Sequence, residues 1–329
     1  MSGAILVIRG GAIGDFILTL PVLAALRARF PEARLEVLGY PHVTPLALAG
    51  DLADAIHSID ARGLASFFAP EGPLAEEFGA FFARFAVIVS FLYDPDRVFQ
   101  DNVRRCSGAQ FIAGPHRPAE GGHTHATEVL LQPLERLTIQ GADPTPRLRL
   151  RTVSAVAANE AGARPVNPAG SPSPLFPSSG PWFAVHPGSG SPEKNWPPTQ
   201  WAALLTALAG ATNWNLLLVG GPAEGDRLER LASCWPAARR AVAQSLPLVE
   251  LASRLGACGW FVGHDSGITH LAAALGRPSL VLWGQTNADV WRPRTPVVRL
   301  LRAPAGLTQL SAGQVRDALL ELVAAAEHA

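Results

Sequence analysis

Short continuous apolar runs recur along this chain, and most of them end in glycine and polar residues before a longer stretch with helical spacing. Ala4–Ile8 is the first, and a run of this kind reads as a strand buried on both faces. Gly10, Gly11 and Gly14 then make a turn, and Asp15 opens an apolar-rich stretch to Phe30 that predicts a helix. Pro21 falls inside it, which predicts a kink or a later helix start. Arg34–Leu38 reads as the next strand, completing a βαβ unit, and Val87–Phe91 and Phe111–Ala113 read as two more. Residues 163–181 hold six prolines among glycines and serines, a composition that predicts an interdomain linker. The same pattern then restarts. Trp182–Val185, Asn215–Val219, Trp260–Val262 and Ser279–Trp283 read as strands, with helices expected over Thr199–Ala209, Ala223–Cys234 and Ile268–Leu275. Ser311 and Gln314 fit a capping box. Val315, Leu319, Leu322 and Val323 then share one helical face, so a last helix should pack on a domain or cross back to the first.

The expected division is an N-terminal domain over 1–162, the linker over 163–181, a C-terminal domain over 182–305 and a terminal helical segment over 306–329. Both domains read as α/β with parallel sheets, and two such domains leave a cleft. Ligands of open parallel sheets bind beyond the carboxyl ends of the strands, where every notable motif of this chain falls.

Length and composition agree with this division. At 329 residues the chain exceeds one ordinary core, and 48% hydrophobic against 16% charged residues supplies material for buried sheets. A formal net charge of zero argues against broad nucleic-acid binding, which needs a basic surface. Cys106, Cys234 and Cys258 are scattered and odd in number, with neither metal-ligand nor disulfide spacing, which points to a reducing compartment. The apolar run at 4–8 is too short for a signal-peptide core, and no stretch approaches the roughly 20 apolar residues that span a bilayer. A cytoplasmic protein is expected, with any membrane contact peripheral.

One feature of the charge is unusual. Of the 27 basic residues, 26 are arginines and one, Lys194, is lysine. It lies in His186-Pro187-Gly188-Ser189-Gly190-Ser191-Pro192-Glu193-Lys194-Asn195-Trp196-Pro197, just after a predicted strand. Backbone N–H groups and hydroxyls of the Gly/Ser run, with a compact ammonium beside them, can cradle a diphosphate. His186 reads as a strand-end residue bonded to the backbone. Arg9-Gly10-Gly11-Ala12-Ile13-Gly14-Asp15 follows the first strand but lacks the dinucleotide-binding spacing. Asp15 reads either as a general base at the cleft mouth or as an acid in a helix's first turn. Gly220-Gly221-Pro222-Ala223-Glu224 places a carboxylate where it can take ribose hydroxyls or serve a helix start. In Gly263-His264-Asp265-Ser266-Gly267-Ile268-Thr269-His270, Ser266, Gly267 and the next N–H groups suit an anion, or Asp265 or Ser266 caps the helix and His270 is buried. Trp283-Gly284-Gln285-Thr286-Asn287 is a fifth, weaker strand-end motif, and Asp94-Pro95-Asp96 and His123/His125 read as turn and loop residues.

Taken in order, these motifs resemble glycosyltransferase family nine, whose best-known members are ADP-heptose:lipopolysaccharide heptosyltransferases. The matching residues are Ile5–Arg9 with Gly14-Asp15 and Pro21-Val22-Leu23, His186-Pro187-Gly188 with Lys194-Asn195-Trp196-Pro197, Gly220-Gly221-Pro222, and Gly263–Ala274. The resemblance implies a GT-B architecture, two Rossmann-like domains facing across a cleft, with the acceptor on the N-terminal half and the nucleotide-sugar on the C-terminal half. It implies inverting transfer of a heptose or related sugar from an ADP-sugar to a lipopolysaccharide core or other surface glycan, with no metal and no cofactor beyond the donor substrate. By the same resemblance Asp15 is the general base, with Gly14 beside it. Lys194, Ser189, Gly190 and the Ser266-Gly267 loop hold the leaving diphosphate, Glu224 holds the ribose, Asp265 is a donor-site acid and His270 stands behind them. A UDP- or GDP-sugar enzyme of the same architecture, or a non-catalytic nucleotide-sugar-binding protein, are the competing readings.

Overall fold

The computed structural model describes residues 3–119, 121–151, 176 and 180–328, so the expected linker falls almost wholly outside the described residues. The first half forms a five-stranded parallel sheet from β1 (Ala4–Arg9), β2 (Leu35–Gly39), β3 (Ala55–Ser58), β4 (Phe85–Ser90) and β5 (Gln110–Ala113), in the order β3-β2-β1-β4-β5. The second half forms a six-stranded parallel sheet from β6 (Trp182–His186), β7 (Asn215–Gly220), β8 (Arg240–Gln244), β9 (Trp260–His264), β10 (Ser279–Trp283) and β11 (Val298–Arg302), in the order β11-β10-β9-β6-β7-β8.

The helices between strands are α1 (Ile13–Arg29), α2 (Pro45–Ala49), α3 (Glu76–Ala83), α4 (Val98–Cys106) and α5 (Ala126–Leu131) in the first half. In the second half they are α6 (Pro198–Ala211), α7 (Gly225–Ala232), α8 (Leu248–Gly256), α9 (Gly267–Ala274), α10 (Ala288–Trp291) and α11 (Ala312–Glu327). Several bounds depart from the sequence pattern. Helix α1 starts at Ile13, two residues ahead of Asp15, and runs through Pro21 as one element. The stretch expected as a helix from Ala223 opens as a 3-10 turn, Pro222–Glu224, before α7. Helix α11 begins with the Ser311–Gln314 capping box and buries Val315, Leu319 and Val323 in the core of the second sheet, beside Leu204, Leu205 and Leu208 of α6.

Each sheet winds outward from one strand, returns, and winds the other way. In the first sheet the chain goes from β1 to β2 and β3, then crosses to β4 and β5; in the second it goes from β6 to β7 and β8, then crosses to β9, β10 and β11. The reversal leaves a crevice beyond the carboxyl ends of β1/β4 and of β6/β9, the positions where open α/β sheets bind ligands. These two crevices face one another. The first turns of α1 and α9 touch across the cleft, and a β-carbon at Gly267 would lie 2.8 Å from both the Gly14 nitrogen and the Ile13 β-carbon. One hydrophobic cluster joins both halves, with Ala47 and Phe16 of the first and Leu251, Leu255 and Leu271 of the second. Polar ties add to it. Leu148 N–H donates to the Ala274 carbonyl at 2.8 Å, and Arg294 pairs with Glu128 at 2.6 Å.

Candidate active site

Asp15 sits at the third position of α1, where its Oδ2 accepts the Ala12 N–H at 2.9 Å. The capping geometry foreseen for it is therefore present, and its side chain is still 30% exposed. Its other oxygen, Oδ1, lies 3.4 Å from Nη2 of Arg9, a buried guanidinium at the end of β1. Arg9 also donates through Nη1 to the His116 carbonyl at 2.7 Å and through Nε to the Asp15 carbonyl at 3.3 Å. Burial draws the Arg9 pKa below its ordinary value, with Asp15 opposing and Arg117 adding to the shift. Arg9 opens the first motif along the chain, but the sequence pattern gives it no role.

Across the cleft, Lys194 closes a 3-10 turn (Pro192–Lys194), and its Nζ meets Asp265 Oδ2 at 2.7 Å. The loops after β6 and β9 are thus joined by an ion pair, with the carboxylate 12% exposed and the ammonium 43%. Ser266, not Asp265, caps α9, accepting the Thr269 N–H at 3.3 Å. That leaves Asp265 for Lys194, and the N-terminus of α9 lies at the domain contact, against Gly14 and Ile13. Ser189 holds its own loop, donating to the Ser191 carbonyl at 2.7 Å and accepting the Ser191 N–H at 3.3 Å. Glu224 is buried, and its Oε2 accepts the Gly221 N–H at 2.8 Å. Its carboxylate lies against Gly188, where a β-carbon would overlap Oε1.

His264 lies inside the fourth motif, but the sequence pattern gives it no role. Its Nε2 accepts the Trp196 N–H at 2.9 Å, so the ring proton is on Nδ1 and points to the Gly188 carbonyl at 3.3 Å. One neutral imidazole thereby ties both ends of the Lys194 loop to β9. Burial pushes its pKa down to about 4. His186, expected to bond to the backbone, instead has Nδ1 3.3 Å from the Ser266 hydroxyl, and burial with the nearby His264 lowers it to about 3. His270 is buried at the domain contact, where a β-carbon on Gly14 would come 3.6 Å from its ring. Burial lowers it to about 4 against the opposing pull of Asp265.

The remaining motifs are structural. Asp94 accepts the Phe99 and Gln100 N–H groups at 3.1 and 2.9 Å and so starts α4. His125 starts α5, and its Nε2 donates to the Arg292 carbonyl of the other half at 2.8 Å. Asn287, in the fifth motif, caps α10 and reaches the Gly122 carbonyl at 3.2 Å. Among the described residues, no group of three or more His, Cys, Asp or Glu side chains is placed to hold a metal ion. No helix of the described residues is long and apolar enough to cross a membrane.

Two Rossmann-like parallel sheets, with loop clusters meeting at both switch points across one cleft, define the GT-B architecture. The chain matches Glycosyltransferase family 9 (heptosyltransferase) over residues 130–313, and it belongs to that family. It is 25% identical over 297 residues to lipopolysaccharide heptosyltransferase 3 of Escherichia coli, covering 85% of this chain and 83% of that one. Its fold is similar to a glycosyl transferase family 9 structure from Veillonella parvula, with a TM-score of 0.76 and 16% identity over 99% of both chains. It is likewise similar to E. coli ADP-heptose lps heptosyltransferase II, with a TM-score of 0.74 and 17% identity over 99% of this chain and 100% of that one.

Proposed function

We propose that this family 9 enzyme transfers a heptose, or a closely related sugar, from an ADP-sugar to a lipopolysaccharide core or another surface glycan, with inversion and without a metal. The N-terminal half takes the acceptor and the C-terminal half the nucleotide-sugar. Asp15 accepts the proton of the attacking acceptor hydroxyl. The oxygen forms its bond to the anomeric carbon while the carbon–phosphate oxygen bond breaks on the opposite face, and ADP leaves with that electron pair. The growing charge on the diphosphate meets the Lys194 ammonium and the N–H groups of the Ser266-Gly267 turn, with Ser189 and Gly190 shaping the loop beside it. Glu224 holds the ribose hydroxyls. Asp265 aims Lys194, and His270 backs the contact with Gly14. Contact with a membrane-borne acceptor is peripheral, and the protein works on the cytoplasmic side.

The observation that carries this reading is the Lys194–Asp265 ion pair beside the α9 N-terminus, set opposite Asp15 across the domain contact. Thermal stabilisation by ADP, UDP and GDP tests it, because a ligand of the folded state raises the melting temperature according to its concentration over Kd. The expected result is a shift with ADP that is lost in Lys194→Ala. A preference for UDP or GDP moves the donor class, and no shift with any nucleotide removes the donor assignment.

A further inference from the structure

Tyr93 lies three residues beyond the end of β4 and is 71% exposed, more than Leu48, Phe68, Val242 or Leu320, the other large apolar side chains open to solvent among the described residues. It is not a loose side chain. Its ring meets His116 edge-on, with centroids 4.7 Å apart and planes 62° apart. His116 lies just beyond β5, and its carbonyl takes the 2.7 Å bond from Arg9. The same buried guanidinium reaches Asp15 at 3.4 Å, so one cation ties the aromatic pair to the carboxylate proposed as the base. The position matters as much as the contact. Asp15 follows β1 and Tyr93 follows β4, the two strands that flank the switch point of the first sheet.

We infer that Tyr93 and His116 form an acceptor subsite, a platform on which the apolar C–H face of a pyranose ring stacks with its attacking hydroxyl turned toward Asp15. This rests on the reading of Asp15 as the base and of the first half as the acceptor side. The electron-rich face of an aromatic ring attracts the weakly positive C–H groups of a sugar, and stacking removes apolar area of both partners from water. An exposed tyrosine, held by an edge-to-face contact with a second ring, presents such a face. Burial lowers the His116 pKa, Arg117 and Arg9 add to that, and Asp15 opposes it. A neutral imidazole is left there, able to exchange a hydrogen bond with a sugar hydroxyl.

Saturation-transfer NMR on the full chain, with ADP present and a deacylated lipopolysaccharide core oligosaccharide as probe, tests the platform without requiring turnover. Wild type and Tyr93→Phe are expected to transfer saturation to ring C–H protons of the terminal sugar with similar affinity. Tyr93→Ala should weaken oligosaccharide binding about tenfold. ADP should raise the melting temperature of all three proteins equally. In turnover assays the same variant should raise the acceptor KM and leave kcat nearly unchanged, a split that misfolding does not produce. Oligosaccharide binding by Tyr93→Ala equal to wild type overturns the inference, as does failure of wild type to bind the probe. Loss of ADP stabilisation in every protein counts against the donor assignment, whereas the oligosaccharide signal still decides the platform.

Discussion

The guanidinium of Arg9 is buried 3.4 Å from the Asp15 carboxylate, and it donates to carbonyls from two other segments of the N-terminal domain. A planar fork can serve all of these acceptors at once, whereas an ammonium cannot. Asp15 is thus held on both oxygens, by Arg9 on one and by the Ala12 N–H on the other. Arg9→Lys keeps the charge and loses the fork; it should lower kcat about tenfold, and Arg9→Met should lower it further, toward the roughly 100-fold scale of a displaced general base. ADP-induced stabilisation should be unaffected, because the donor loops lie in the other half. Equal kcat in wild type and Arg9→Met would show that Asp15 needs no such support.

The two glycines at the domain contact are not equivalent. A β-carbon at Gly14 meets Gly267 and His270 no closer than 3.5 Å, an ordinary contact, whereas one at Gly267 meets backbone and side chain of the opposite domain at 2.8 Å. Gly14→Ala should therefore be tolerated. Gly267→Ala should hold the domains apart, cutting kcat by about tenfold or more while ADP still stabilises the C-terminal half, since misplacement by about 1 Å costs that much or more. Parallel kcat measurements and ADP melting shifts on the two variants check this.

Gly188 admits the Glu224 carboxylate, and an added methyl would overlap Oε1. Glu224 is buried and bonded to Gly221, so it has little room to retreat. Gly188→Ala should weaken ADP binding by about tenfold, the scale of one good hydrogen bond to a charged group. Isothermal titration with ADP measures it, and with adenine in place of ADP the difference should vanish, because adenine carries no ribose.

Much of this architecture is legible in the apolar runs, for a specific reason. Strands β1, β6, β9 and β10 lie in sheet interiors with nearly every residue buried, and such strands are apolar except at their ends, here Arg9, His186, His264 and Ser279. Of the four edge strands, β3, β8 and β11 are largely half exposed, carry Ser58, Arg240, Gln244 and Arg299, and leave no comparable run, whereas β5 buries Phe111 and Ile112 and leaves a short one. The site divides in the same way. Lys194 stood out by composition, and the Asp265 loop by its glycine and its place after a strand. Arg9 and His264 did not, because their roles depend on carbonyls 107 and 76 residues away in the chain. Tyr93 shows nothing until β4 and β5 place it beside His116.

Three buried histidines should make the donor half sensitive to mild acid. His264 is useful only when neutral, because its Nε2 must accept the Trp196 N–H; a proton there would set two donors against each other. Burial lowers His264 and His270 to about 4 and His186 to about 3, whereas histidines of the unfolded chain titrate near 6.5. Between about pH 6.5 and about 4 the unfolded chain takes up protons that the folded chain refuses. Stability is therefore full above about 6.5 and falls with pH below it, by up to about 1.4 kcal/mol per pH unit for each histidine. The contribution levels off only below the folded values. Carboxylates act in a lower range. Burial pushes the Glu36 pKa up, but Arg34, His57 and Arg84 together hold it below its ordinary value of 4.5, so its loss of stability begins only near that pH. Urea unfolding between pH 7.5 and 5 isolates the histidine window. Wild type should lose stability steadily across it. His264→Gln, whose amide oxygen can accept the Trp196 N–H without titrating, should be less stable at pH 7.5 yet fall less steeply. A flat wild-type profile over that range would mean that the folded protein protonates these rings as readily as the unfolded chain does.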